Sequence, residues 1–153
     1  MRLTLTRQAG YALRAMTWLA HESSAAKPLV GRTQRAKAAE IASGAGVPAP
    51  FTARLLGRLQ RSGLLTSRPG HDGGFALARP PREITLLQVV EAIEGPLTVQ
   101  ECLLRDVICG VDGLCTLHFA WSAAYGHFRE ALAEARLGDS VSETTAAGPM
   151  PVV

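Results

Sequence analysis

Apolar residues recur at helical spacing near the start of the chain. Tyr11, Met16 and Leu19 share one face if the segment is helical, which predicts a first helix over about residues 8–22. Small and polar residues with one proline follow, so a loop is predicted from Ser23 to Gly31.

Two further short helices are predicted around a glycine-containing turn. Thr33 is a candidate cap for the first of them, which ends at Gly44 or Gly46. Two prolines suit the start of the next helix, over about residues 48–62. It has an apolar stripe on one face and arginines on or near the other: Phe51, Leu55, Leu56 and Leu59 against Arg54, Arg58 and Arg61. Two short helices joined by a tight turn form a helix-turn-helix.

Two strand-like runs follow the helix-turn-helix, at residues 64–68 and 75–79. The sequence PGHDGG separates them, and this turn-rich stretch predicts a β-hairpin. A hairpin directly after a recognition helix is the wing of a winged helix. Arg68 and His71 lie where such a wing can reach a phosphate or a minor groove.

The pattern changes in the second half of the chain. Thr85 is a candidate cap for a fourth helix, and helical periodicity fails from Pro96 to Leu114. It resumes at about Cys115 in a long helix with one apolar stripe, formed by Leu117, Trp121, Ala124, Phe128, Leu132 and Ala135. The stripe suits core packing or a dimer interface. A dimer is favoured because helix-turn-helix regulators bind two half-sites.

These elements predict a mainly α fold with a small β-hairpin. We expect a winged helix-turn-helix DNA-binding domain at residues 1–82. A loop and a long C-terminal dimerisation helix are expected at 83–138, and a disordered tail at 139–153.

Charge divides the chain at the same place. The formal net charge of the 153 residues is only +3, but residues 1–82 hold 13 Lys/Arg and 3 Asp/Glu, a net +10. Residues 83–153 hold 3 Lys/Arg and 10 Asp/Glu, a net −7. A basic first half favours a polyanionic partner, most simply double-stranded DNA, over an unevenly charged solvated surface.

The candidate chemistry lies in the stretch without periodicity. The chain's three cysteines and one histidine form a C-x6-C-x5-C-x2-H pattern: Cys102, Cys109, Cys115 and His118. Thiolates are soft ligands that suit zinc and iron–sulfur clusters, and three thiolates with one imidazole make a four-ligand site. Zinc sites favour paired C-x2-C ligands, so these wide spacings suit a cluster better. Three reduced cysteines without a ligand remain the alternative.

Other classes of protein find little support. No apolar run approaches the roughly 20 residues of a membrane span, so no membrane association is expected. With three cysteines and no export signal, a disulfide framework is disfavoured and a cytoplasmic location is expected. The chain has no Gly-x-Ser-x-Gly, no Walker motif and no paired-carboxylate constellation, so no enzyme activity is expected.

Over about residues 1–137 the chain resembles the winged-helix iron–sulfur regulators typified by IscR and NsrR. The resemblance rests on MRLTLTRQAGYALRAM, on the helix-turn-helix AAEIASGAGVPAPFTARLLGRLQRSGLL, on the wing phrase with its GGFALARPP run, and on CTLHFAW. It implies a homodimeric transcription regulator that senses iron–sulfur status, nitric oxide or redox state through a cluster near the dimerisation helix.

The resemblance also implies a ligand set. Cys102, Cys109 and Cys115 match the three cysteine ligands, and His118 matches the fourth ligand of the IscR-like branch. The NsrR-like branch uses an N-terminal Asp of the partner subunit, whereas this chain reads Thr6-Arg7-Gln8 there. The first cysteine gap is six residues where the IscR-like pattern has five. A [2Fe–2S] cluster is expected over a [4Fe–4S] cluster.

The same resemblance suggests DNA contacts in the recognition helix and wing. The candidates are Pro50, Phe51, Thr52, Arg54, Arg58, Arg61, Arg68 and His71. Arg54 is expected to read a base edge, because a guanidinium fits guanine, and Thr52 to contact phosphate or base. Arg58 and Arg61 are expected to contact phosphates or remain solvated.

Two rival functions stay open at this point. A winged-helix regulator can use zinc or thiol oxidation without a cluster. An iron–sulfur carrier or assembly protein also explains the cysteines, but it leaves the +10 half and the wing unexplained.

Overall fold

A computed structural model describes residues 5–25, 35–97 and 116–139. Cys102, Cys109 and Cys115 lie outside these ranges, as does Thr33. The described elements, in chain order, are α1 (Arg7–Ala25), α2 (Ala38–Ala45), α3 (Ala49–Arg61), β1 (Leu65–Arg68), β2 (Gly74–Leu77), a 3-10 turn (Pro81–Glu83), α4 (Leu86–Glu94) and α5 (Thr116–Glu134). The structure is mainly helical with a small hairpin, which confirms the predicted fold class.

The main core lies where α1, α2, α3 and α4 meet. Its fully buried side chains include Met16 of α1, Ile41 of α2 and Leu56 of α3. Val89 of α4 packs into the same cluster. The apolar stripe predicted on α3 is therefore the face that holds this helix against the rest of the fold, apart from Phe51, which is exposed.

The turn between α2 and α3 is fixed by a glycine and an arginine. Gly46 has a φ of 60°, a left-handed backbone conformation that ends α2. Residues other than glycine adopt this conformation only at a cost in free energy. From α1, Arg14 donates through Nε to the carbonyl oxygen of Ala45 (3.1 Å) and through Nη2 to that of Gly46 (2.7 Å). These bonds fix the angle at which the recognition helix leaves the turn.

The predicted cap of α2 is wrong. The helix begins at Ala38, and its capping residue is Lys37, whose backbone N–H donates to Glu40 Oε2 at 2.6 Å. The first helix is also longer than its apolar spacing predicted, because α1 continues to Ala25. Residues at the ends of a helix make few core contacts, so the spacing of apolar residues locates helix ends poorly.

The wing is an antiparallel hairpin that pairs Leu65 with Leu77 and Arg68 with Gly74. Ala36 forms an isolated bridge to the hairpin, because its backbone N–H and carbonyl both bond to Phe75, at 2.9 and 2.8 Å. This pairing explains why residue 74 is a glycine, since a Cβ there would lie 2.5 Å from the carbonyl oxygen of Ala36.

Described residues after Arg82 pack into the same core as the residues before it. Thr85 caps α4 through reciprocal 3.0 Å bonds with Gln88, as predicted. After α5 the chain returns to α4: the N–H of Leu137 donates to the carbonyl oxygen of Ile84 at 2.8 Å. Both of these residues are fully buried in the main core. The division of charge at Arg82 is therefore not a break in packing.

The predicted stripe of α5 serves packing within the chain over much of its length. Phe128 and Leu132 pack against a second cluster that holds Leu87 and Val90 of α4. Leu117, by contrast, is exposed. Of the predicted tail, Asp139 is ordered and accepts a bond from the N–H of Arg136 (2.9 Å), and residues 140–153 lie outside the described part of the chain.

Candidate nucleic-acid interface and sensor region

The recognition helix presents a polar and partly apolar face to solvent. Pro50, Ala53, Arg54 and Arg61 are exposed along α3. Phe51 is 46% exposed, and its ring lies 6.0 Å from that of Tyr11 in α1. Exposed arginines on the second helix of a helix-turn-helix are the groups that reach phosphates and base edges.

Thr52 does not belong to this face. Only 2% of it is exposed, and its hydroxyl donates to the carbonyl oxygen of Pro48 at 3.2 Å. The expected contact between Thr52 and DNA is therefore wrong. The side chain serves the first turn of α3 instead, because a short hydroxyl can satisfy a nearby backbone carbonyl.

Arg58 has a partner within the chain that the sequence did not predict. It is half-buried, and its Nη2 donates to the carbonyl oxygen of Ile93 in the last turn of α4. The last carbonyls of a helix lack partners within it, so an arginine from a neighbouring helix can satisfy one. Arg58 therefore joins the recognition helix to α4 rather than contacting phosphate or remaining solvated.

The wing carries exposed groups at its tip, and its backbone is bonded to two residues that precede α2. Arg68 and His71 are exposed, as their predicted role requires, and His71 Nδ1 lies 3.5 Å from Asp72 Oδ1. Lys37 Nζ donates to the carbonyl oxygen of Gly70 at 3.3 Å. Arg35 donates to two further hairpin carbonyls, those of Thr66 and Gly74.

Sequence reasoning missed Arg35 and Lys37 as parts of this region. Both precede α2, far in sequence from the hairpin, and both reach its backbone in the structure. Their clustering with Arg32 just before the helix-turn-helix was the available signal. Lys37 is exposed beside the wing, so it extends the basic surface.

His118 lies in the first turn of α5. It is half-buried, and its Nε2 atom lies 3.4 Å from Ser122 Oγ. Among the described residues no three His, Cys, Asp or Glu side chains come together as a metal site. Cys102, Cys109 and Cys115 lie outside them, so the structure describes only one of the four expected ligands. Three thiols and an imidazole are a donor set that fits an iron–sulfur cluster or zinc.

The residues that lead from α4 toward the cysteines are tied to three helices. Glu94 Oε1 accepts from the N–H of Thr6, just before α1, at 2.7 Å. Glu91 Oε1 accepts from the N–H of Leu97 at 3.2 Å and lies 3.7 Å from Arg129 Nε of α5. With the bond from Arg58 of α3 to Ile93, the end of α4 contacts α3, α5 and the residue before α1.

Comparison with known proteins identifies the class. The profile of the Rrf2 family, described as iron-dependent transcriptional regulator, matches residues 5–143. The chain belongs to the Rrf2 family. This Rrf2 chain is 32% identical to an rrf2-like HTH-type transcriptional regulator of Rhodobacter capsulatus over 67% of its own length and 65% of that protein. It is 31% identical to the HTH-type transcriptional repressor NsrR of Streptomyces coelicolor, over 97% and 93% of the two chains.

Solved structures confirm the winged-helix fold of this Rrf2 regulator. CymR, the global cysteine regulator of B. subtilis, superposes with a TM-score of 0.75 at 22% identity, covering 93% of this chain and 98% of that one. IscR of T. potens superposes with a TM-score of 0.73 at 21% identity, covering 97% and 94%. In the described part of the Rrf2 chain, no helix has the length and apolar character needed to cross a membrane.

Proposed function

We propose that this Rrf2 regulator binds operator DNA as a homodimer and senses iron–sulfur status, redox state or nitric oxide through a [2Fe–2S] cluster. The observation that carries the proposal is the donor set Cys102, Cys109, Cys115 and His118, which directly precedes and enters α5 in a chain with a winged helix-turn-helix. A cytoplasmic location goes with this function.

Operator binding is supported by the exposed cations of the helix-turn-helix and wing. Arg54 reads base edges in the major groove, and Arg61 contacts a phosphate. Pro50 and Phe51 add shape and apolar contact. Arg68 and His71 extend to the flanking backbone or minor groove. Each of these side chains is exposed.

The cluster ligands are three thiolates and the His118 imidazole. A bound cluster supplies reversible one-electron chemistry that a regulator can read as a signal. His118 is held on a regular helix with Ser122 one turn further on, at 3.4 Å. That neighbour orients the ring, as partners of metal-bound histidines do.

The proposed response follows from what α4 touches. A cluster held by Cys102, Cys109, Cys115 and His118 would link the sequence that follows α4 to the first turn of α5. The end of α4, at the start of that segment, bonds to Arg58 of the recognition helix and to the N–H of Thr6 before α1. A shift there changes the placement of the two recognition helices of a dimer, and so their fit to half-sites one helical turn apart.

Dimerisation through α5 is supported by an apolar face that points away from α4. Phe119 is 59% exposed, and Ala120 and Ala123 lie beside it and are exposed too. Further along the same face His127 and Glu130 pair at 3.6 Å. The N-terminal half of α5 therefore offers the contact for a second copy, close to the cluster ligands.

Anaerobic purification followed by cluster reconstitution tests the sensor. We expect a coloured protein with iron and acid-labile sulfide in equal amounts. His118→Ala should change the absorbance spectrum, and each cysteine-to-serine change should reduce bound iron further. A colourless protein without bound iron after reconstitution would contradict the proposal.

A second candidate is a regulator that uses thiol oxidation or zinc without a cluster. It is favoured by the likeness to CymR, since CymR of Staphylococcus aureus has been solved in an oxidized form. Metal analysis separates the candidates: zinc, or no metal with a reversible thiol change that alters DNA binding, supports the second. A cluster carrier or assembly protein would leave the helix-turn-helix without a role.

A further inference from the structure

Gly57 lies in the middle of the recognition helix and is partly exposed to solvent. It follows Arg54 by three residues and precedes Arg61 by four, so the three residues are neighbours on one side of α3. Glycine is a poor helix former, because it loses the most backbone freedom on folding and leaves the backbone exposed to water. A glycine inside a helix therefore calls for a reason within the fold or outside it.

The fold itself does not require glycine at this position. Gly57 is not among the described glycines with positive φ. A Cβ built on it would have one neighbour within 4 Å, Arg61 Nη1 at 3.6 Å, which is an ordinary van der Waals contact. Gly44 differs, because a Cβ there would lie 2.2 Å from Trp18 Nε1. Among the described residues, therefore, nothing accounts for glycine at position 57 except what its exposed side meets.

We propose that Gly57 is a positioning residue for DNA, which acts by allowing the recognition helix to seat deeply beside Arg54. The inference rests on the proposed DNA-binding function. A helix with side chains is about 10–12 Å across, and the major groove of B-DNA is about 12 Å wide. A helix therefore fits with little space to spare, and the side chains that face the groove floor set its depth.

The surroundings of Gly57 agree with this role. Ala53, one turn earlier on the same side of the helix, is also small and is exposed. Arg54 lies about one turn before Gly57 and Arg61 about one turn after it, so the surface of the helix is low between two long cationic side chains. A methyl group at position 57 raises that surface where it meets the DNA and lifts Arg54 away from its base edge.

The test compares Gly57→Ala with Gly10→Ala in the full-length protein. Gly10 is a matched control because it lies within α1, outside the recognition helix, the wing and the proposed dimer face, and a Cβ added there would meet nothing within 4 Å. The probes are duplexes of about 30 base pairs, selected from a random library by the wild-type protein, and an unselected duplex of equal length. Thermal unfolding and the Kd for both duplexes are measured.

Both variants should raise Tm by about 2–4 °C, because alanine is the better helix former. Gly57→Ala should weaken binding to the selected duplex by about tenfold or more and lower the preference for it over the unselected duplex. Gly10→Ala should leave both Kd values unchanged.

Two results would overturn the inference while leaving DNA binding intact. One is a stabilised Gly57→Ala variant with wild-type Kd values and preference. The other is a Gly57→Ala variant whose Tm falls, because position 57 would then need glycine for the fold. A wild-type protein that selects no duplex and shows no salt-dependent binding would instead contradict the DNA-binding function, and this inference with it.

Discussion

At the scale of single residues, exposure and hydrogen bonding divide the arginines of α3 into two kinds. Arg54 and Arg61 are exposed on the face of the recognition helix that is free to meet DNA. Arg58 is half-buried and donates to the carbonyl oxygen of Ile93. We propose that the first kind acts on DNA directly and that the second acts on the position of the helix.

Arg54→Ala is expected to reduce sequence preference. Losing a guanidinium that reads a guanine edge should cost about 1–3 kcal/mol at one base position while binding to random DNA persists. Competition between selected and random duplexes measures this. Equal loss on both duplexes would contradict a base-reading role for Arg54.

Arg61→Ala is the matched comparison further along the same helix. It should weaken binding to all sequences alike and reduce the slope of log K against log salt by about one, because one phosphate contact is lost. Kd values at several salt concentrations give the slope. An unchanged slope would show that Arg61 makes no phosphate contact.

Residue types alone could name candidates in α3 but could not assign their roles. Thr52 and Arg58 share the polar character of DNA-contacting residues, yet one is buried against Pro48 and the other turned toward α4. Both outcomes depend on how α3 rotates in its packing and on which helix lies beside it. A sequence periodicity shows that a helix has an apolar face but does not show what its borderline residues meet.

At the scale of elements, α4 connects the parts of the molecule. Its first turn is capped by Thr85 and held by the segment after α5, and its last turn bonds to α3 and to the residues before α1. The predicted helices, hairpin and Thr85 cap were recovered because their signals are local. The bridge from Ala36 to the wing was missed because its pairing with Phe75 joins residues far apart in sequence.

Arg58→Met tests the bond between α3 and α4. It keeps a long apolar stem and removes the donor to Ile93, so unfolding should become easier by about 1 kcal/mol. DNA binding should weaken although no phosphate contact is lost, so the salt slope should stay at the wild-type value. A slope reduced by about one would place Arg58 on the DNA instead.

Thr85→Ala should destabilise the fold by about 1 kcal/mol, because it removes the acceptor for the N–H of Gln88. Chemical denaturation measures the loss. Thr85→Ser keeps the hydroxyl and should restore most of the stability. If serine were no better than alanine, the cap would not be the source of the effect.

At the scale of the whole molecule, charge separates the two halves of the chain, whereas packing joins them. The +10 of residues 1–82 marks the half that we propose to meet DNA, whereas the buried contacts of Ile84 and Leu137 tie the acidic half into the same core. Sequence composition revealed the first property, because charge is counted directly. It did not reveal the second, because shared burial depends on how distant segments fold together.

Phe119→Glu should disrupt the proposed dimer, because it places a charge in the middle of the exposed apolar face of α5. The mass in solution should fall from two chains toward one, as measured by light scattering after gel filtration. Glu134→Ala, at the far end of the same helix, is the control and should remain dimeric. A dimeric Phe119→Glu protein would show that the copies meet elsewhere.

The proposed function requires that the cysteine segment control DNA binding through a cluster. The decisive quantity is the Kd for one selected duplex, determined anaerobically on a single preparation before and after the cluster is removed by chelation. We expect the two values to differ by about tenfold or more, within the usual range of coupling between sites. Equal Kd values from a preparation shown to hold and then lose its iron and sulfide would contradict this control.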